Sequence, residues 1–230
     1  KEALEASQRN VAIFAKSSLR RNWNRTNEQG AEVGEVFHPF ERVGLYVPGG
    51  TAPLVSTSLM TVAIAAATGV PEIVVCTPCG KDGKVNQHLL AALKLAGATE
   101  IYRVGGAQAI AAMAYGTESL APVVKIFGPG NSYVVEAKRQ CFGVVSIDLL
   151  PGPSEVMVLA DSSANPAFVA ADLLAQAEHG KDSGVAFLTT DENLLKEVLN
   201  QIDLQSEKLS RQGMIRSVVA DTARAVASVD

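Results

Sequence analysis

The sequence has few cysteines, no long apolar run and no stripe of basic residues. Three cysteines in 230 residues exclude a disulfide-built scaffold and favour a reduced, cytoplasmic location. The most apolar stretch, residues 60–67, is too short to span a bilayer, and the first ten residues form no apolar signal segment. Lysine and arginine are scattered and the net charge is −4, so we expect neither nucleic acid nor a membrane as a partner.

The composition is that of an ordinary globular protein. Hydrophobic residues make up 47% of the chain and charged residues 19%, which argues against a largely disordered chain. The length is enough for one large domain or two small ones, each with its own core.

Short apolar runs alternate with longer amphipathic stretches along the chain. Strands are predicted at 42–47, 72–76, 100–104, 123–127, 144–149, 156–160, 184–189 and 217–220. Helices are predicted at 1–27, 54–68, 86–96, 107–115, 132–141, 166–179, 192–209 and 222–228. Strands that alternate with helices of this length predict an α/β fold with mostly parallel sheets.

Two breaks rich in glycine and proline, at 48–50 and 151–153, divide the chain. We therefore predict two α/β domains, because there are more strands than one average sheet needs. Residues 46–153 would form the second domain. The flanking segments, 1–45 and 154–230, would pair into a discontinuous first domain.

Three predicted turns between a strand and a helix are rich in glycine, at 48–50, 105–108 and 128–131. Such turns allow a ligand to approach the backbone, and the following helix offers free N–H groups to an anion such as a pyrophosphate. The alternative is purely local, because any turn of this kind favours glycine. The dinucleotide fingerprint G-x-G-x-x-G is absent, since Tyr133 stands where GPGNSY would need its third glycine.

Gln176 and His179 are three residues apart near the end of a predicted helix and share one face. Such a pair can hold a metal through imidazole nitrogen, although glutamine is an uncommon zinc ligand. The alternative is a histidine that interacts with the helix dipole beside a solvated glutamine. Cys76 and Cys79 form a C-x-x-C pair, but no second pair exists to complete a zinc site, and we interpret them as structural.

Seven segments, taken together and in order, resemble the histidinol dehydrogenase family. They are RVGLYVPGG (42–50), APLVSTSLM (52–60), VGGAQAIAAMAYGTES (104–119), KIFGPGN (125–131), EAKRQ (136–140), PGPSEV (151–156) and DLLAQAEHG (172–180). The resemblance implies two similar α/β/α domains related to aldehyde dehydrogenases. It also implies a homodimer that oxidises the small-molecule substrate L-histidinol, through the aldehyde, to L-histidine with NAD and zinc.

The same resemblance implies roles for six residues. By motif match, Tyr46, Gln108 and Asn131 would contact NAD. Ser154, Gln176 and His179 would contact the substrate, and Gln176 and His179 would also bind zinc. The glutamine ligand is expected in this family, which favours the metal interpretation of that pair.

The family's catalytic Glu-His pair, in a Pro-Glu-His-Leu context, is absent from the sequence. We therefore expect a partial chain with the pair beyond residue 230, an N-terminal region that is also incomplete, and no appreciable activity for this chain alone. Two alternatives stay open. One is a related dehydrogenase acting on another small polar alcohol such as sulfopropanediol, and the other is a non-catalytic nucleotide-binding module.

Overall fold

A computed structural model describes residues 2–49, 54–180, 183–209, 212–220 and 223–226. The contacts divide the chain into two units, Lys1–Leu150 and Pro151–Asp230. Within the described ranges, no helix combines the length and the apolar character needed to cross a membrane.

The first unit begins with a helix and a hairpin and continues as alternating strands and helices. Its elements are α1 (Glu2–Ser17), β1 (Trp23–Thr26), β2 (Glu32–Glu35), β3 (Arg42–Tyr46), α2 (Val55–Ser58), a π-helical segment (Leu59–Ala63), α3 (Ile64–Ala67), β4 (Glu72–Cys76), α4 (Gln87–Ala96), β5 (Glu100–Tyr102), α5 (Gly106–Tyr115), β6 (Lys125–Phe127), α6 (Ser132–Cys141) and β7 (Ser146–Ile147).

Five of these strands form a parallel sheet in the order β5-β4-β3-β6-β7. The central strand β3 pairs with β4 on one side and with β6 on the other. The chain therefore leaves β3 towards one edge of the sheet and later returns to its other side. Ligands of open α/β sheets bind beyond the carboxyl ends of the strands at such a reversal.

Alternate residues of the central strands enter two separate cores. Val43 and Leu45 of β3 pack with residues of the helices around 55–67 and α4, whereas Tyr46 packs with α5 and α6. Strand β4 repeats this alternation with Ile73 and Val74. Because both faces are covered, the unit has three layers, as the run of apolar residues in a buried parallel strand predicts.

The second unit contains β8 (Glu155–Ala160), α7 (Pro166–Ala177), β9 (Gly184–Thr189), α8 (Glu192–Ser206), α9 (Gln212–Ala220) and β10 (Ala223–Val226). Its three strands are parallel, in the order β10-β9-β8. Val185 and Phe187 of β9 pack into a core with α7, α8 and α9. On β8, Met157 and Leu159 are exposed.

The α/β class with parallel sheets is confirmed, but two segments differ from the prediction. The predicted helix 1–27 ends at Ser17, and a two-stranded antiparallel hairpin of β1 and β2 follows it. A local turn competes successfully with the helix there, because the Asn27 side chain accepts hydrogen bonds from the backbone N–H groups of Gln29 and Ala31.

The predictions for residues 217–228 were also wrong in their element types. Residues 217–220, predicted as a strand, belong to helix α9, and residues 223–226, predicted as helical, form β10. Ile215 and Val218 are buried three residues apart, which is helical spacing. The short stretch after them pairs with β9, a tertiary contact that overrides local preference. Residues 222, 227 and 228 of the predicted helix lie outside the described residues.

The N-terminal segment, residues 1–45, belongs to the same contact unit as the middle of the chain. Strand β3 is the centre of the first unit's sheet, and Leu4 and Val11 of α1 pack against one of its cores. The discontinuous domain of residues 1–45 and 154–230 stays a prediction.

Gly128, directly after β6, is the tightest glycine position of the fold. Its φ is +115°, and a Cβ there would collide with the Tyr46 carbonyl group. Gly143 has a similar φ of +101° but open space around it.

We expect Gly143→Ala to lower the free energy of unfolding by about 1–2 kcal/mol through backbone strain alone. Gly128→Ala should lower it by about 1–3 kcal/mol more, because of the collision. Urea denaturation followed by circular dichroism measures both, and equal losses would contradict the prediction.

An ion-pair cluster joins the amino ends of three strands. The Arg42 guanidinium donates to Glu72 at 2.5 Å and to Glu100 at 2.5 and 3.0 Å. The Tyr102 hydroxyl lies 2.7 Å from Glu100 Oε2. The hydrogen bonds from Arg42 and then from Tyr102 hold the pKa of Glu100 below its usual value. Ionised Glu100 therefore stabilises the fold above the unfolded-state pKa, and this contribution is lost as the pH falls through the folded-state pKa.

We expect Glu100→Gln to lower the free energy of unfolding by about 1 kcal/mol at pH 7, a modest value because the carboxylate is partly screened by solvent. The deficit should shrink below about pH 4.3, where glutamates in the unfolded chain begin to protonate. Denaturant titrations across this pH range test it. Glu118→Gln, at an exposed glutamate of the same unit, is the control. A deficit that is independent of pH would show that the charge of Glu100 is not responsible.

Candidate active site

The carboxyl ends of β3, β5 and β6 bring the three glycine-rich turns to one edge of the first unit's sheet. Two of these turns, at 105–108 and 128–131, lie wholly within the described residues. Of the turn after β3, Pro48 and Gly49 are described and Gly50 is not. The edge is therefore built by strand ends and helix starts, as the sequence predicts.

Tyr46 ends β3 and is largely buried, with 4% of its surface exposed. Its hydroxyl accepts a hydrogen bond of 3.1 Å from the backbone N–H of Gly106, the first residue of α5. The side chain therefore ties the central strand to the start of a helix that follows β5. Because the Tyr46 oxygen acts as an acceptor here, its hydroxyl hydrogen can still donate to a ligand.

Gln108 and Asn131 stand at two helix starts on the same edge. Gln108, in the first turn of α5, is exposed, and its side-chain oxygen lies over Gly106, where a Cβ would come within 3.0 Å of it. Asn131 is the N-cap of α6, and its Oδ1 accepts from the Val134 backbone N–H at 3.2 Å. This leaves the Asn131 amide nitrogen as a donor for a ligand.

Glycines make this edge a close-packed cradle. Besides Gly128 against Tyr46, a Cβ on Gly105 would come within 2.7 Å of the Pro78 side chain. A Cβ on Gly49 would come within 2.9 Å of Thr77 Oγ1. Side chains at these positions would therefore displace the turns that form the edge.

Two features of the edge suit a polar or anionic ligand. No side chain caps the start of α5. The Gly106 N–H is bonded to the Tyr46 hydroxyl, and the other N–H groups of the first turn have no acceptor within the helix. Thr77 is fully buried, and its hydroxyl has no hydrogen-bond partner in the part of the chain that the structure describes. The residues at this edge therefore fit a dinucleotide such as NAD, whose phosphates favour free N–H groups at a helix start.

The second unit gathers the other three predicted site residues around the end of α7. Gln176 is half-buried, and its Nε2 donates to the Ser154 carbonyl at 3.0 Å and lies 3.4 Å from Ser183 Oγ. His179, just beyond α7, is exposed, and its backbone N–H donates to the Gln176 carbonyl at 3.2 Å. Ser154 also accepts from the Gly184 N–H at 3.3 Å through its carbonyl, which joins it to β9.

Two donor groups around the end of α7 are of a kind that zinc accepts. Because Gln176 donates through Nε2, its Oε1 is the atom left for a cation, and the exposed His179 imidazole is a suitable zinc donor. Among the described residues, no group of three or more histidine, cysteine or acidic side chains could hold a metal. The donor set therefore fits zinc in kind, and further ligands would have to complete it.

The C-x-x-C pair has the environment of structural cysteines. Cys76, Cys79 and Cys141 are free, and Cys76 and Cys141 are buried. Burial raises the pKa of the Cys76 thiol to about 12. A redox dithiol needs a lowered thiol pKa, so this thiol is poorly suited to attack.

Two residues of the edge escaped the sequence analysis. Lys138 is buried in α6, where its Nζ contacts the Gly128 carbonyl and the Asp148 carboxylate. A signal was present, because Lys138 stands four residues after Val134 and three before Cys141, on the buried stripe of the helix. A charged residue on such a stripe requires a buried partner.

Comparison of the chain with known proteins shows the family to which it belongs. A family model described as "Histidinol dehydrogenase" matches residues 1–230. The chain belongs to the histidinol dehydrogenase family. It is 46% identical over 223 residues to the histidinol dehydrogenase of Lactococcus lactis, covering 97% of this chain and 52% of that protein. With the Moorella thermoacetica histidinol dehydrogenase it shares 47% over 225 residues, covering 98% and 53%.

Solved structures agree with this family and its fold. The crystal structure of histidinol dehydrogenase from Elizabethkingia anophelis matches with a TM-score of 0.93 and 42% identity, over 98% of this chain and 52% of that one. A putative aldehyde dehydrogenase from Burkholderia cenocepacia matches with a TM-score of 0.55 and 20% identity, over 88% of this chain and 42% of that one. This second likeness shows the fold alone. The chain spans about half the length of the histidinol dehydrogenases it matches.

The hydrogen bond from Gly106 to Tyr46 can be tested directly. We expect Tyr46→Phe to lower the free energy of unfolding by about 1 kcal/mol, because a helix-start N–H loses its acceptor. Tyr133→Phe is the matched control, since that tyrosine is 75% exposed. The control should change stability by less than about 0.5 kcal/mol. Equal values for the two variants, measured by urea denaturation, would mean that the Tyr46 hydroxyl does not support α5.

Proposed function

We propose that the protein containing this chain oxidises L-histidinol through the aldehyde to L-histidine, with NAD as the oxidant and zinc as the bound metal. The observation that carries the proposal is the match of the family model to residues 1–230. The name of the relatives describes dehydrogenation of histidinol, and identities of 42–47% along nearly the whole chain support a shared reaction.

We assign NAD to the edge of the first unit's sheet. Gln108 and Asn131 would bind it through side-chain amides at two helix starts, with Tyr46 donating from its hydroxyl. The free N–H groups of α5, the unpartnered Thr77 hydroxyl and the glycine cradle support this assignment. No G-x-G-x-x-G fingerprint is needed, because the approach to the backbone is provided by glycines of separate turns.

We assign zinc and the substrate to the end of α7. Gln176 Oε1 and the His179 imidazole would be metal ligands, and Ser154 would contact the substrate. When bound, NAD supplies the hydride acceptor and zinc supplies a Lewis acid that orients the amino alcohol. The contribution of Gln176 is positional, because its Nε2 is held on the Ser154 carbonyl and its oxygen is thereby fixed.

We assign no proton transfer to the residues of this chain. The Glu-His pair that the family resemblance implies belongs, in this proposal, to the half of the protein that the chain does not span. We therefore propose that these 230 residues alone do not oxidise histidinol, and that the complete protein works as a homodimer in the cytoplasm.

The complete protein should reduce NAD when histidinol is added, with two NADH formed for each histidine. The measurement is NADH absorbance together with the histidine yield, and sulfopropanediol is the competing substrate. Turnover of sulfopropanediol without turnover of histidinol would favour the related dehydrogenase. Binding of NAD without turnover of either alcohol would favour the nucleotide-binding module.

Zinc ligation by His179 predicts a specific loss in the complete protein. His179→Asn should lower zinc affinity by more than about 100-fold, beyond the range typical of residues that only support a ligand. His88→Asn is the control, because His88 is exposed on α4 of the other unit. Competitive titration with a chelator measures both variants, and equal affinities would rule out ligation by His179.

The 230-residue chain should bind zinc weakly, and sub-micromolar affinity in calorimetry would contradict that expectation.

A further inference from the structure

A buried ammonium group lies under the turn that follows β6. Lys138 is 1% exposed, although the two other charged residues of its helix, Glu136 and Arg139, are exposed. Its Nζ donates to the Gly128 carbonyl at 2.6 Å and to Asp148 Oδ1 at 2.6 Å. The ammonium group therefore binds the backbone of the turn and one carboxylate.

Asp148 completes the contact from the opposite side. Its Oδ2 accepts from the Gly128 backbone N–H at 2.8 Å, while Oδ1 also accepts from the Leu149 N–H at 2.7 Å. Both backbone polar groups of Gly128 are thus bonded to charged side chains. One residue of the turn is held by two groups that are also paired with each other.

The position of Gly128 leaves little freedom to the turn. Its left-handed backbone is pressed against the Tyr46 carbonyl so closely that no Cβ fits. The next glycine, Gly130, packs against the Val134 side chain. A shift at Gly128 would therefore move the start of α6, where Asn131 is the N-cap.

Stability alone does not explain a buried ion pair at this place. Removing a lysine from water is costly, and apolar side chains of similar volume often stabilise a protein equally well. A pair of charges does, however, fix one geometry, because each partner needs the other at hydrogen-bond distance. Here the pair fixes the geometry of Gly128, because both partners are bonded to its backbone.

We propose that Lys138 and Asp148 are positioning residues for NAD, which hold Gly128 so that the turn 128–131 keeps the form that receives the dinucleotide. This inference rests on the proposed function. The turn lies where the sheet order reverses between β3 and β6. Side chains of a helix lean towards its N-terminus, so Lys138 reaches back along α6 to the end that presents Asn131.

The first test compares two neighbouring residues of α6 in the complete protein. Lys138→Met keeps the apolar stem and removes the charge, and should raise the KM and Kd for NAD about 10- to 100-fold, as misplaced binding groups typically do. The KM for histidinol should change little. Arg139→Met is the matched control, because Arg139 is exposed and pairs with Glu136 on the surface. An equal rise in the KM for NAD and the KM for histidinol in Lys138→Met would overturn the proposal, and so would an unchanged KM for NAD.

A second set of variants separates positioning from stability. Lys138→Met alone should lower the melting temperature, because it leaves Asp148 unpaired. Lys138→Met combined with Asp148→Leu removes both charges of the pair, so the melting temperature should recover towards the wild-type value. Affinity for NAD should stay low, because Gly128 has lost both partners. Leu93→Ala, in the core on the opposite face of the sheet, should lower the melting temperature without changing the Kd for NAD. Wild-type affinity in the double variant would overturn the proposal.

Hydrogen exchange in the absence of NAD gives a readout that does not need activity. The peptide containing residues 126–134 should exchange about tenfold faster in Lys138→Met and at the wild-type rate in Arg139→Met, since exchange reports local opening. An unchanged rate would overturn the proposal even if the KM rose. Wild-type protein that does not bind NAD would overturn the proposed function and the ligand named here, while faster exchange would still show that the pair holds the turn.

Discussion

The first unit depends on the contact between the end of β3 and the start of the turn after β6. There the Tyr46 carbonyl and Gly128 meet so closely that neither chain segment can be displaced without moving the other. This contact is possible because β3 and β6 are neighbours in the sheet although about eighty residues separate them in sequence. The edge assigned to NAD contains this pairing, and the sheet order reverses between these two strands.

Much of the fold was predictable because local and tertiary preferences agree. The buried strands at 42–46 and 72–76 are apolar runs between turn residues, and both are confirmed. The structure shows local chemistry at helix starts as well, because Asn86 and Asn165 are N-caps whose side chains accept from the following backbone N–H groups. Periodicity failed where local signals were weak. The stripe of the first helix was extended into the hairpin, and the short element at 223–226 takes its strand form from β9.

The roles of the six candidate site residues were inferred from motif resemblance and stay predictions, whereas the structure shows where each residue lies. Gln108, Asn131 and Gln176 fall at helix positions where their amides can face a ligand, and motif matching could find them. The burial of Tyr46 could not be foreseen, because it depends on packing between β3 and two helices that are distant in sequence. The partners of Lys138 are likewise set by the sheet, since Asp148 follows the edge strand β7.

The glycine at position 128 also limits how this family segment can vary. Every replacement of a glycine adds at least a Cβ, and here any Cβ meets backbone atoms rather than a side chain that could turn away. Substitution at this position is therefore costly to the fold. Change in the turn must be taken up by neighbours whose side chains face solvent, such as Ser132 and Tyr133. The exposed positions of the turn therefore accept new side chains more readily than Gly128 does, and the backbone beneath them keeps its shape.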